Sequence, residues 1–218
     1  MSSPIDPEIQ QILFTKKADL SQVMLRASQD VALFEKIFDG LDAKQENYRY
    51  NCYKVVYQIG CEQPQIVYPY WDRLAAFLDS ENAYHRATGV YLLPRLLAVD
   101  SDRRFDRVAE RYLVLLGDTS IVVARYVAQN AATIAAFRPD LRGRVAAALL
   151  AVRKTAHNES RKDLLVSDVL DSLEQLYPHL TGEERQQTVS LAEDYLKCSS
   201  PRTRQIARAL LRRFAGVT

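Results

Sequence analysis

AYHRATGVYLL, residues 83–93, decides how the rest of the chain is read. Its apolar residues fall at helical spacing, yet Arg86 stands inside that pattern. Gly89 follows three places on, where a helix interior favours alanine by about 1 kcal/mol. The pair recurs along the chain. YRYNC holds Arg49 and Cys52, ARYVA holds Arg125 and Ala128, and TRQIA holds Arg204 and Ala207. A further helix keeps the register with Leu164 and Ser167, retaining the small residue and losing the arginine. The arginine position advances by 37, 39, 39 and 40 residues, and Asp42, Asp79 and Asp118 each stand seven places before their arginine.

The intervening segments align as well. Val67, Trp71, Leu74 and Leu78 correspond to Phe105, Ala109, Tyr112 and Leu116, then to Leu141, Val145, Ala148 and Val152. Each set has the i, i+4, i+7, i+11 spacing of one buried helix face. Helices are predicted to begin at Asp6-Pro7, near Asp19 and Gln29, then at Glu46, Pro64, Glu81, Ser101, Thr119, Pro139, Glu159, Gly182 and Pro201. Short polar turns between them imply antiparallel neighbours, hence helical hairpins in series. In such a stack a small residue allows close approach between successive first helices. The arginine lays its stem over that interface and sends its guanidinium to a carboxylate, for which the upstream aspartate is the natural candidate.

These residues resemble the HEAT-repeat family, whose units carry an Asp in the turn followed by Val-Arg-x-x-Ala in a helix. The aspartate here lies one residue further upstream, and the unit at 158–178 lacks both the Asp and the Arg at the motif positions. The resemblance implies an all-α fold, a right-handed α–α superhelix of stacked helical hairpins. On this reading 1–218 is a single solenoid domain, with N-terminal cap helices over 1–41 and about four and a half repeats over 42–218, since terminal repeats of solenoids are atypical.

Composition supports a packed, helical chain. Of 218 residues 48% are hydrophobic and only seven are glycine, against both disorder and a glycine-rich nucleotide fold. The longest apolar run, VAAALLAV (145–152), is too short to span a bilayer, so no membrane association is expected. The start, MSSPIDPEIQ, lacks the pattern of a signal peptide, and Cys52, Cys61 and Cys198 show no metal-type spacing. A cytoplasmic location with free thiols follows as the expectation. Charge is uneven: residues 1–100 carry 10 Lys/Arg against 13 Asp/Glu, and the remainder 19 against 14.

No catalytic, cofactor or metal site is expected. His85, His157 and His179 lack the His-Glu pairs of HEAT-like di-iron hydroxylases, and no glycine-rich phosphate loop or Gly-x-Ser-x-Gly elbow is present. Trp71-Asp72 resembles the Trp and Asp of HEAT-like alkylpurine DNA glycosylases, but Trp71 falls on the buried stripe and reads as core. The candidate partner surface is basic. Arg103, Arg107 and Arg111 run at i, i+4, i+8 from Ser101 along one predicted helix, and the next second helix carries Arg142 and Arg144. They either form a patch for phosphate or an acidic peptide, or are neutralised through Arg103–Asp106 and Arg107–Glu110 pairs. The favoured function is a non-enzymatic scaffold or adaptor binding a protein partner on a curved surface. A nucleic-acid-binding protein similar to the glycosylases is the alternative, and a helper docked to a catalytic subunit is a third.

Overall fold

The computed structural model describes residues 5–214, and among these every regular element is helical. The ends of the expected cap (1–41) and repeat region (42–218) reach into residues 1–4 and 215–218, which lie outside the described residues. The helices are α1 (Pro7–Phe14), α2 (Ser21–Ala27), α3 (Val31–Asp39), α4 (Glu46–Glu62), α5 (Pro64–Val67), α6 (Trp71–Phe77) and α7 (Ala83–Leu92). They continue with α8 (Ala109–Val114), α9 (Ile121–Phe137), α10 (Arg142–Leu150), α11 (Glu159–Leu176), α12 (Gly182–Asp194) and α13 (Pro201–Phe214). Local chemistry sets the starts. Asp6, Asp30, Asn82 and Asn158 each accept a backbone N–H of the first turn that follows. Thr181 and Glu184 close a reciprocal capping box. No helix among the described residues is long and apolar enough to cross a membrane.

The chain divides into two compact units, Met1–Arg103 and Arg104–Thr218. In the first, α4 is the hub and touches α1, α2, α3, α5 and α7. Buried Asn51 on α4 donates to the carbonyls of Leu13 (2.9 Å) and Thr15 (2.8 Å), closing the end of α1. In the second unit α11 packs along α9 on one side and α13 on the other. Meanwhile α10 touches α8, α9, α11 and α12. Polar bonds pin the first row. Ser172 Oγ donates to the Ala128 carbonyl at 2.6 Å, and Thr203 Oγ1 to that of Asp163 at 2.7 Å. The carboxylate of Asp163 accepts from Ser199 N (2.8 Å), Ser199 Oγ (2.6 Å) and Ser200 N (3.2 Å), so α11 caps the start of α13.

The repeat register meets the core as expected. Cys52, Gly89, Ala128, Ser167 and Ala207, the five small-residue positions, are all buried. So are the twelve positions of the second-helix stripe, Ala148 excepted, which is half-buried. Trp71 retains 2% of its surface and belongs to the core.

Two details differ from expectation. Ala128 does face the next first helix, but Gly89 faces the preceding second helix. A Cβ there would stand 2.9 Å from the Leu74 carbonyl oxygen on α6. The arginines also reach partners other than the upstream aspartate. Arg49 donates to the Ala43 carbonyl (3.0 Å), while Asp42 pairs with Arg73 (3.5 Å) and His85 (3.4 Å). Arg86 donates to the carbonyls of Ser80 (2.8 Å) and Glu81 (2.9 Å), and Arg204 to those of Cys198 (2.7 Å) and Ser199 (2.9 Å). The reason is geometric. A side chain at the fourth residue of a helix leans toward the N-terminus, and turn carbonyls lie directly in its path. Arg125, one place later in its helix, instead reaches Asp168 on α11 (Nε–Oδ2 2.6 Å). The unit that lacks its own arginine supplies this carboxylate.

Replacing Gly89 by leucine therefore forces side-chain atoms against α6 backbone and should cost about 1–3 kcal/mol. Gly60, whose added Cβ would meet only ordinary contacts at 3.7 and 4.0 Å, makes the control. Gly60→Ala should gain up to about 1 kcal/mol of helix propensity, while Gly89→Ala gains nothing. Urea unfolding of the three variants checks both signs. Trp71→Ala should cost about 3–5 kcal/mol, and the native tryptophan emission should be blue-shifted and poorly quenched.

Candidate functional site

The five arginines of the expected basic surface are not equivalent. The single helix from Ser101 does not form: Arg103 has φ 53°, a 3-10 turn spans Arg104–Arg107, and α8 starts only at Ala109. A 3-10 turn eclipses residues i and i+3, which sends both Phe105 and Val108 inward and breaks the i, i+4, i+8 alignment of Arg103, Arg107 and Arg111. Arg103 belongs to the first unit and the other four to the second. Arg142 is half-buried, with Nε donating to the Ala135 carbonyl at 3.1 Å. Arg144 pairs with Glu110 at 3.3 Å, so Glu110 is engaged across the groove rather than by Arg107. Arg107 and Arg111 are exposed.

Asp106 pairs with an arginine the sequence reading passed over. Buried Arg138 closes the end of α9 and holds two carboxylates, Asp106 and Asp140 (2.8 Å). Those bonds raise its already high pKa further, so its charge is permanent. This cluster is architecture, not a ligand site.

Between α8 and α10 lies a groove of about 490 Å³. Leu113, Val114 and Leu116 form one wall, and Ala147, Ala148 and Ala151 form the other, with Arg144 and Glu110 at the rim. Val114 leaves 74% of its surface exposed. The alanines explain the space: α10 presents methyl groups where longer side chains would fill it. Ala148, the exception to the buried stripe, is half-exposed because it lines this opening. Apolar walls with a charged rim suit the anchoring of an apolar side chain from another polypeptide.

A second surface escaped the sequence reading. Eight of the twelve tyrosines lie between residues 48 and 91. Tyr50, Tyr53 and Tyr57 follow one another along α4 at ring-centroid separations of 6.4 and 6.1 Å, and Tyr91 on α7 stacks on Tyr57 at 5.0 Å. Cations lie over the rings: Arg49 over Tyr84 (4.4 Å), Lys54 over Tyr50 (4.7 Å) and Arg95 over Tyr91 (5.5 Å). Burial pushes the Tyr84 hydroxyl up to about 12 against the opposing pull of Arg49, and burial likewise raises that of Tyr57. The i, i+3, i+7 spacing of Tyr50, Tyr53 and Tyr57 was the available signal.

Catalytic groups do not converge in either surface. Ser80 Oγ lies 3.1 Å from His85 Nδ1, with Asp42 on the other ring nitrogen, but Ser80 Oγ also accepts from Asn82 N (3.2 Å). The three fasten the turn before α7 to the turn before α4. Cys52 is buried against Gly40, and burial holds its thiol up at about 12, protonated and inert. Among the described residues no group of three His, Cys, Asp or Glu side chains is placed to hold a metal. With Trp71 inside the core, its ring face is not offered to a nucleobase. The chain matches no protein-family model, and no curated protein sequence matches it significantly.

The distinction between structural and surface arginines is measurable. Arg138→Ala strips two carboxylates of their cation and should lower stability by about 1.5–3 kcal/mol. Arg144→Gln removes an exposed pair and should change it by no more than about 1 kcal/mol. Thermal melts of the two variants provide the comparison.

Proposed function

We propose that the chain is a non-enzymatic HEAT-like solenoid, a right-handed superhelix of helical hairpins. It serves as a scaffold or adaptor and binds a protein partner on its curved surface. The groove between α8 and α10 carries the reading, because it leaves Val114 and a run of alanines unfilled, with Arg144 and Glu110 at the rim. An apolar anchor from the partner fills the groove. Acidic groups flanking that anchor meet Arg144 at the rim and the exposed Arg107 and Arg111 of the same unit, which would steer encounter more than they add affinity. The recurring buried small residues and α11's packing against both α9 and α13 support the stacked-hairpin part of the proposal.

Affinity purification of the tagged native protein, with identification of what is retained, tests this. Ala147 is exposed, so Ala147→Glu places a carboxylate in the groove at little structural cost. The variant should reduce recovery of the retained protein by about tenfold or more. The double reversal Arg107→Glu/Arg144→Glu should weaken retention and flatten its salt dependence. Undiminished recovery in Ala147→Glu overturns the groove. Retention of nucleic acid, lost steeply with salt, would replace protein binding by the alternative class.

A further inference from the structure

Arg95 sits in the 3-10 turn Leu93–Val99 that follows α7, half-buried, with its guanidinium 5.8 and 5.5 Å from the ring centroids of Tyr57 and Tyr91. Its Nε–H is buried and has no hydrogen-bond partner, and no carboxylate pairs with it among the described residues. Arg49 and Arg138 each have one orphaned nitrogen too, but their guanidiniums are bonded elsewhere, whereas among the described residues no hydrogen bond or ion pair engages that of Arg95. The Nε–H is closed to solvent, so an acceptor from outside meets the Nη groups of the fork. The tyrosine rings fix the orientation of the cation without neutralising it.

We propose that Arg95, with the hydroxyl-bearing edges of Tyr57 and Tyr91, receives a single carboxylate from an Asp or Glu side chain of a polypeptide partner lying across the tyrosines of α4. The proposal rests on the reading above that this chain binds protein, and places a second contact on the first unit. Tyrosine and arginine are the residue types that dominate the energetics of protein interfaces. The charge pattern selects a peptide rather than a nucleic acid. Exposed Glu46 and Glu62 accompany Arg49 and Lys54 on α4, and the guanidinium of Arg49 is turned back to the Ala43 carbonyl, so no basic track for a phosphate backbone runs along the helix. Tyr57 and Tyr91 also stack on one another at 5.0 Å and 29°, which takes up one face of each ring. Base stacking needs open faces.

The test selects binders of the full chain from a phage-displayed random dodecapeptide library and measures the fluorescein-labelled peptides by anisotropy. Selected peptides should share an Asp or Glu. Arg95→Gln should weaken them by about tenfold or more, and Tyr91→Phe by less. Changing the peptide's Glu to Gln should weaken binding to wild type equally and binding to Arg95→Gln not at all, the signature of a direct pair. Circular dichroism of Arg95→Gln should be unchanged. Peptides indifferent to Arg95→Gln but lost with Ala147→Glu overturn this inference and leave the groove reading standing. Failure to select any peptide overturns the inference as well, whereas the groove reading is decided by the purification described above. Tighter binding of labelled oligothymidylate, abolished by Tyr53→Ala, overturns it in favour of a single-stranded nucleic acid.

Discussion

A guanidinium at the fourth residue of a helix, folded back onto the carbonyls of the turn before it, is the contact on which the helix junctions depend. Arg49, Arg86, Arg185 and Arg204 all make it, each in its own helix. Turn carbonyls between closely packed helices cannot all reach water, and each one left unpaired costs about 1–3 kcal/mol. One arginine satisfies up to two of them with charge-assisted bonds. Placing a cation near a helix N-terminus opposes the helix dipole by up to about 1 kcal/mol, and the carbonyl oxygens it meets offset that penalty. The turn is thereby fixed, and with it the angle at which the next helix leaves.

Once the turns are fixed, packing reduces to which residue is small at each crossing. Gly89 lets α7 press on the backbone of α6, and Ala128 lets α11 come close enough for Ser172 to reach a main-chain carbonyl of α9. The two units use polar bonds differently. In the first, Asn51 ties α4 to the end of α1; in the second, Ser172, Thr203 and Asp163 link successive long helices. Where the small residue is alanine in excess, as on α10, the outcome is an unfilled groove.

Much of this was legible in the residues. The starts at Glu46, Pro64, Pro139, Glu159, Gly182 and Pro201 are marked by caps and prolines, and helical segments begin there. The buried stripes were legible because burial imposes a period. What a period cannot reveal is the identity of the neighbour: it marked Gly89 as a crossing without naming Leu74, and placed the Arg49 stem on the interface without separating the Ala43 carbonyl from Asp42 as its partner. The helix from Ser101 failed because spacing alone does not register the left-handed Arg103 or the tighter turn beyond it. Of the candidate arginines, Arg142 turned out to hold a carbonyl, which no spacing rule distinguishes from an exposed neighbour. The tyrosines of α4 carried a plain helical spacing, but the stacked partner on α7 and the cation from the next turn came from distant sequence.

Most hairpins close their polar accounts within their own turns, so the loss or duplication of one such hairpin would strand few hydrogen-bonding groups. Two junctions of α11 are the exceptions. Asp168, with 3% of its surface exposed, is held by Arg125 of α9, and Asp163, with 5% exposed, is held by the serines that precede α13. Removing α9 or α13 would leave a desolvated carboxylate on α11, which costs several kcal/mol. The helix that lacks the motif arginine is thus the one whose neighbours can least be cut away.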